Sequence, residues 1–145
     1  MNNNSIIIER SFNVPVNQVW TALTDNNEMK QWYFDLPEFR AERGFKFDFK
    51  GGPADGKQYL HHCEVTEAIP NRTISYSWSY EGYEGNSQVN FELFEIEGKT
   101  LLRVTHEGLE SFPQDNPDFQ KQNFEKGWDS IVNESLKNYL EKAQG

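Results

Sequence analysis

Thr73-Ile74-Ser75-Tyr76-Ser77-Trp78-Ser79-Tyr80 alternates small hydroxyl residues with large apolar or aromatic ones. Successive side chains of a β-strand point to opposite faces, so Ile74, Tyr76, Trp78 and Tyr80 share one face and Thr73, Ser75, Ser77 and Ser79 the other. A strand of this kind belongs to a sheet covered on one side only. What covers the aromatic face, and whether the cover leaves a hollow, is then the functional question.

The flanking segments keep the period of two. Phe45-Lys46-Phe47-Asp48-Phe49 places three rings on one face, and Lys57 to Glu67 sets Tyr59, His61, Cys63 and Val65 against Leu60, His62, Glu64 and Thr66. Gly51-Gly52-Pro53 and Asp55-Gly56 mark the loop between them, and Pro70-Asn71 turns the chain into 73–80. Gln88 to Glu95 and Lys99 to Glu107 follow as strands, separated by the hairpin signal Glu97-Gly98. At the N-terminal end, Ser5 to Asn13 reads as a first strand. Pro15 then suits a first helical turn, with Val16, Val19, Trp20 and Leu23 forming one stripe. Asp25 caps a short second helix over about Asn26 to Gln31. From about Asp118 a long helix is expected, with Phe124, Trp128, Ile131, Val132, Ser135, Leu136, Tyr139 and Leu140 at three- and four-residue intervals. This order predicts an α+β fold: a curved antiparallel sheet of about seven strands, two short helices after strand 1, and one long C-terminal helix over the apolar face.

Length and composition narrow the classes. The 145 residues suit a single domain over 1–145. Hydrophobic residues make up only 36%, but aromatics reach 14%, so rings supply much of the buried area. A net charge of −9 argues against nucleic acid, which needs clustered Lys and Arg. The N-terminal Met-Asn-Asn-Asn-Ser leads into no signal-like run, and no apolar stretch approaches about 18 residues. A soluble, cytoplasmic protein without membrane insertion is the expectation. The single cysteine, Cys63, excludes an intrachain disulfide and reads as a buried, inert thiol.

A sheet curved round one helix is filled by aromatic plugs or left with a ligand-sized hollow. Gly127 bears on the choice, because glycine inside a helix costs about 1 kcal/mol relative to alanine. It serves either close packing of Trp128 or a sheet aromatic against the backbone, which is the favoured reading, or room for a ligand.

The order of elements, with particular residues, resembles the helix-grip (START-like, SRPBCC, Bet v-like) superfamily of lipid-binding domains, plant allergens and polyketide cyclases. Within it, the chain is most similar to the family related to the C-terminal domain of the activator of heat shock protein 90 ATPase. The segments that carry the resemblance are Phe12-Asn13-Val14-Pro15-Val16 with Val19-Trp20 and Leu23-Thr24, Gln31-Trp32-Tyr33, Gly44-Phe45-Lys46-Phe47, Val65 through Pro70 into Ile74–Trp78, Thr105-His106-Glu107-Gly108, and Gly127-Trp128. The resemblance covers about residues 5 to 142. It implies an internal pocket beside the long helix for a small apolar molecule, and no single activity.

Candidate site residues follow from the inward faces. Trp32, Phe45, Phe47, Tyr59, Tyr76, Trp78, Phe91, Phe124 and Trp128 are the candidate pocket wall, with Tyr59, Tyr76, His61 and His106 as polar groups that orient a ligand. Trp20 is assigned to the packing of the N-terminal helices. Of the three histidines, His61 and His106 point inward and His62 away. Two inward histidines without an inward carboxylate make no zinc site, so no metal and no cofactor is expected. His106 is the one weak candidate for an acid or base of cyclase or dehydratase type. The competing and favoured reading is a structural imidazole that satisfies a loop carbonyl and holds the strand end. Binding of a small apolar, lipid-like or aromatic molecule therefore ranks first and enzymatic chemistry second. A protein-interaction role, as a chaperone partner or a homodimer through an exposed strand, ranks third. The eukaryotic activator carries a separate N-terminal domain, and nothing resembling it stands in this sequence.

Overall fold

A computed structural model describes residues 5–33, 36, 38–51 and 57–144. β1 (Ile6–Phe12) is followed by α1 (Val16–Thr24) and α2 (Asn26–Trp32), then β2 (Lys46–Gly51), β3 (Tyr59–Ile69), β4 (Thr73–Tyr80), β5 (Ser87–Ile96) and β6 (Lys99–Glu107). The six strands form one antiparallel sheet in the order β1-β6-β5-β4-β3-β2. About seven strands were expected; the described residues hold six, and a turn at 42–45 leads into β2. That turn closes through the Gly44 N–H donating to the Val65 carbonyl, and Gly44 sits at φ +91°, a conformation that favours glycine. The loop expected over 52–56 lies outside the described residues.

The serine–aromatic strand is β4, in the interior of the sheet between β3 and β5. Ile74, Tyr76, Trp78 and Tyr80 are all buried, whereas Thr73, Ser77 and Ser79 are half-buried. Ser75 departs from the alternation and is also buried. A bulge in β3 between Val65 and Glu67 shifts its register against β4. Such a bulge bends the strand and sharpens the local twist, which curves the sheet toward the helix.

The N-terminal helices start where local chemistry allows. Pro15 sits at the N-cap of α1, where its missing N–H costs nothing. Asp25 caps α2 by accepting from the N–H groups of Asn27 at 2.9 Å and Glu28 at 3.2 Å. Val19, Ala22 and Leu23 bury the inner face of α1, and Trp20 is half-buried against the same core. Glu28 accepts a 2.8 Å bond from the Tyr139 hydroxyl, fastening α2 to the C-terminal helix.

The C-terminal helix starts later than the sequence suggests. Pro117–Phe119 forms a short 3₁₀ turn capped by the Asn116 side chain, and the helix proper begins at Lys121. It has three parts: α3 (Lys121–Ser130), a π-helical segment (Ile131–Leu136) and α4 (Lys137–Gln144). The reason lies in its buried stripe, Phe124, Trp128, Val132, Leu136 and Leu140, which recurs strictly every four residues. In a pure α-helix each four-residue step overshoots a full turn by about 40°, so Leu140 would end about 160° away from Phe124. A π turn bonds i to i+5 and under-rotates by comparison, which brings the stripe back into line. Arg10 Nη1 of β1 donates to Asn133 Oδ1 at 3.0 Å, holding the π segment against the sheet.

Among the described residues no helix is long and apolar enough to cross a membrane. Cys63 is buried and unpaired, and burial pushes its thiol pKa well up, which makes it inert.

Candidate functional site

A cavity of about 510 Å³ lies between the C-terminal helix and the sheet. Strands supply Gly51, Tyr59, His61, Trp78 and Tyr80; the end of α2 supplies Trp32 and Tyr33; the 3₁₀ turn supplies Asp118 and Phe119. The helix contributes Asn123, Phe124, Lys126, Gly127, Trp128, Ser130, Ile131 and Ser135. The size falls within the range of small-molecule sites.

The walls are made apolar by internal satisfaction of polar atoms. Trp32 Nε1 donates to the Ala22 carbonyl at 2.8 Å, Trp78 Nε1 to the Tyr80 hydroxyl at 2.8 Å, and Trp128 Nε1 to His106 Nδ1 at 3.0 Å. All three indoles therefore spend their only donor inside the protein and offer ring carbon to the cavity. Trp78 and Trp128 lie 5.6 Å apart between ring centroids, and Tyr33 stacks on Trp32 at 4.9 Å. Gly127 has no atom within 4 Å of where a Cβ would stand. The close-packing reading is overturned at this position, because the glycine is exposed at the rim of the cavity.

Asn123, Lys126, Ser130 and Ser135 of the helix are exposed, and the polar groups deeper in the cavity are mostly committed. Tyr59 donates to Asp118 Oδ2 at 2.5 Å, tying β3 to the turn that leads into the helix. Burial, then the Asp118 bond, raises the Tyr59 pKa. His61 Nδ1–H donates to the Tyr59 carbonyl at 2.9 Å, and its ring stacks on Phe49 at 4.5 Å. Desolvation lowers its pKa to about 4, so it is neutral at pH 7. The Tyr33 and Tyr76 hydroxyls share a 2.6 Å bond, and desolvation pushes both phenols well up.

His106 is placed differently from expectation. It is fully buried and does not line the cavity. Since an indole nitrogen only donates, Nδ1 of His106 is the acceptor and Nε2 carries the proton. Nε2–H then donates to Ser87 Oγ at 2.8 Å, and the Ser87 hydroxyl in turn donates to the Trp78 carbonyl at 2.8 Å. The imidazole thus satisfies a serine and an indole, not a loop carbonyl, and it joins β4, β5, β6 and the helix. Desolvation, with a smaller effect from His61, lowers its pKa to about 3. With both nitrogens occupied and no path to the cavity, it has no geometry for acid–base work on a ligand.

Of the sequence candidates, the cavity brings together Trp32, Tyr59, His61, Trp78, Phe124 and Trp128. Phe45, Phe47, Tyr76, Phe91 and His106 stand behind that wall. Phe45 packs on Phe39 and Phe47, Phe47 meets Tyr76 edge-on at 5.1 Å, and Phe91 meets Trp128 edge-on at 5.8 Å. The strand period gives their face but not their distance from the helix, which passes directly over some strands and stands off from others. Sequence reasoning missed Tyr33, Tyr80, Asp118, Phe119, Ser130 and Ser135 as wall, while it singles out Gly127 with room for a ligand as the second reading. Tyr80 shares the face of Trp78 and was recoverable from the alternation. His62 points away from the cavity, with its ring nitrogens 2.7 Å from Asp48 Oδ1 and 2.9 Å from Glu81 Oε1. No group of three or more His, Cys, Asp or Glu among the described residues is arranged to hold a metal ion.

Solved structures share this architecture. CalU16 from Micromonospora echinospora is 26% identical, with 93% of this chain and 74% of that chain covered and a TM-score of 0.73. MLL2253 from Mesorhizobium loti is 25% identical, with coverage of 95% and 97% and a TM-score of 0.77. DynU16, a protein in the dynemicin biosynthetic locus, is 26% identical with a TM-score of 0.77; the match covers 97% of this chain but 48% of that one. No curated protein matches the sequence. The family model for Activator of Hsp90 ATPase homolog 1-like protein matches residues 13–141. With that match and the helix gripped by a curved sheet, the chain belongs to the Activator of Hsp90 ATPase homolog 1-like family of the helix-grip superfamily.

Proposed function

We propose that this protein binds a small apolar molecule, ring-bearing or lipid-like, between the C-terminal helix and the β3–β4 part of the sheet. The observation that carries the reading is the cavity of about 510 Å³, walled by three tryptophans whose N–H groups are all satisfied within the protein. Indole rings that make no hydrogen-bond demand offer apolar surface to a ligand. Burial of that surface stabilises the complex by about 25 cal/mol per Å², before the costs of association. Gly127 adds support, since a helix that omits a side chain there keeps the space open at its own expense. DynU16 and CalU16 match this chain in fold, and DynU16 comes from a locus that makes dynemicin, which is consistent with a ring-bearing ligand.

The test is titration of the purified protein with fluorene, retinol and palmitate, followed by intrinsic tryptophan fluorescence and calorimetry. Trp32, Trp78 and Trp128 line the cavity, so occupancy should change emission from the protein's own indoles. Saturable binding of one probe with a 1:1 endpoint is the expected result. No saturable response to any of the three, together with no small molecule retained in native mass spectrometry, would overturn the reading.

A further inference from the structure

One hydroxyl in the cavity wall has no outlet for its proton. Tyr80 is 7% exposed and lines the cavity. Its oxygen accepts the Trp78 Nε1–H at 2.8 Å, and because indole cannot accept, the phenolic O–H must find its acceptor elsewhere. Among the described residues none accepts it, and the rings of Tyr59 at 5.7 Å, His61 at 4.7 Å, Phe112 at 5.2 Å and Phe119 at 4.8 Å pack around the Tyr80 ring. Burial raises the Tyr80 pKa, so the proton stays in place at neutral pH. A buried donor left without an acceptor is costly, and the cost is relieved when a ligand supplies one.

We propose that Tyr80 is the polar anchor of the cavity, donating its hydroxyl proton to a carbonyl oxygen on a ring-bearing ligand. The proposal rests on the reading of the cavity as a binding site and narrows its ligand class to aromatic ketones and related acceptors. The Trp78 bond strengthens the anchor, since a hydroxyl that accepts one hydrogen bond becomes a better donor of the next. The two residues are i and i+2 on β4, so one strand supplies the ring wall, the polarising N–H and the donor. Tyr33 and Tyr76 form a separate pair, sharing one 2.6 Å bond in which either hydroxyl can be the donor.

The probe pair is 9-fluorenone and fluorene, which differ by one carbonyl. Calorimetry on the wild type and on Tyr80→Phe measures both affinities. The wild type should prefer fluorenone by about three- to tenfold, the usual worth of one such bond. Tyr80→Phe should abolish the preference, judged against the variant's own fluorene affinity, because the change also removes the acceptor of the Trp78 Nε1–H. In the wild-type complex the infrared carbonyl stretch should also move below its value in cyclohexane. Equal wild-type affinity for the two probes, a preference that survives Tyr80→Phe, or an unshifted stretch would overturn the anchor and leave the cavity reading standing. If neither probe binds the wild type, the cavity reading fails and the anchor with it.

Discussion

Gly127 separates an open cavity from a merely well-packed core by opposite effects of two substitutions. Gly127→Ala adds a methyl group that meets nothing within 4 Å. The helix then gains about 1 kcal/mol of propensity, because alanine gives up less backbone entropy than glycine. For a domain of this length that corresponds to a rise in Tm of about 2–4 °C. Gly127→Phe also restores a side chain to the helix, and places a ring at the exposed rim of the cavity that Gly127 lines. Differential scanning calorimetry reads the first effect and titration with fluorene the second. Alanine should raise Tm and keep binding, whereas phenylalanine should keep the fold and weaken binding by tenfold or more. A lowered Tm for Gly127→Ala would show that the backbone here is in close contact after all. Unchanged fluorene affinity in Gly127→Phe would show that the ligand site lies elsewhere.

Three further outcomes follow from the same contacts. Ser87→Ala leaves the buried His106 Nε2–H without a partner and should cost about 1–3 kcal/mol in urea unfolding; a loss below about 0.5 kcal/mol would refute the assigned tautomer and relay. His61 and His106 are held at about 4 and about 3, below the 6.5 of an unfolded chain. As pH falls through 6.5 the unfolded state therefore binds protons first. Stability should fall by up to about 1.4 kcal/mol per pH unit for each histidine until the folded values are reached. Surface His62, raised by Asp48 and then Glu81, contributes in the opposite sense: its stabilisation is full below 6.5 and is lost as pH rises through its folded value. Unfolding midpoints in urea at pH 7.5, 6 and 5 check the sum, and a midpoint that does not fall toward pH 5 would show the inner histidines to be solvated. Gly85→Ala should cost about 2 kcal/mol or more in the same assay. Gly85 sits at φ +108°, and its Cβ would stand 2.6 Å from the Ser111 carbonyl oxygen, a backbone atom with no easy way to yield. Wild-type stability in that variant would mean that the 108–112 segment is loosely held.

Much of the fold was legible because two periods dominate the chain. The alternation at 73–80 put Tyr76, Trp78 and Tyr80 on the covered face, and all three are buried. The distinction between wall and core was not legible at the same level. Tyr76 and Trp78 share a strand face, yet Trp78 borders the cavity while Tyr76 is sealed behind Tyr33, Phe47 and Phe91. That difference depends on where the helix crosses a curved sheet, a tertiary quantity with no local signature. His106 shows a second limit. Its inward direction was readable, but its partners Ser87 and Trp128 are 19 and 22 residues away in sequence. The π segment did leave a trace: a strict spacing of four across Phe124, Trp128, Val132, Leu136 and Leu140 does not fit 3.6 residues per turn.

The π segment also keeps two tasks in line on one helix. α4 is seated by Leu140 and by Tyr139 on Glu28, while α3 carries Gly127 and the cavity wall. Without the wide turn, a stripe spaced strictly by four would swing the wall-forming face of α3 round the axis, away from the face on which α4 is seated. The anchoring of the helix end and the direction of Trp128 are thus tied together through the backbone.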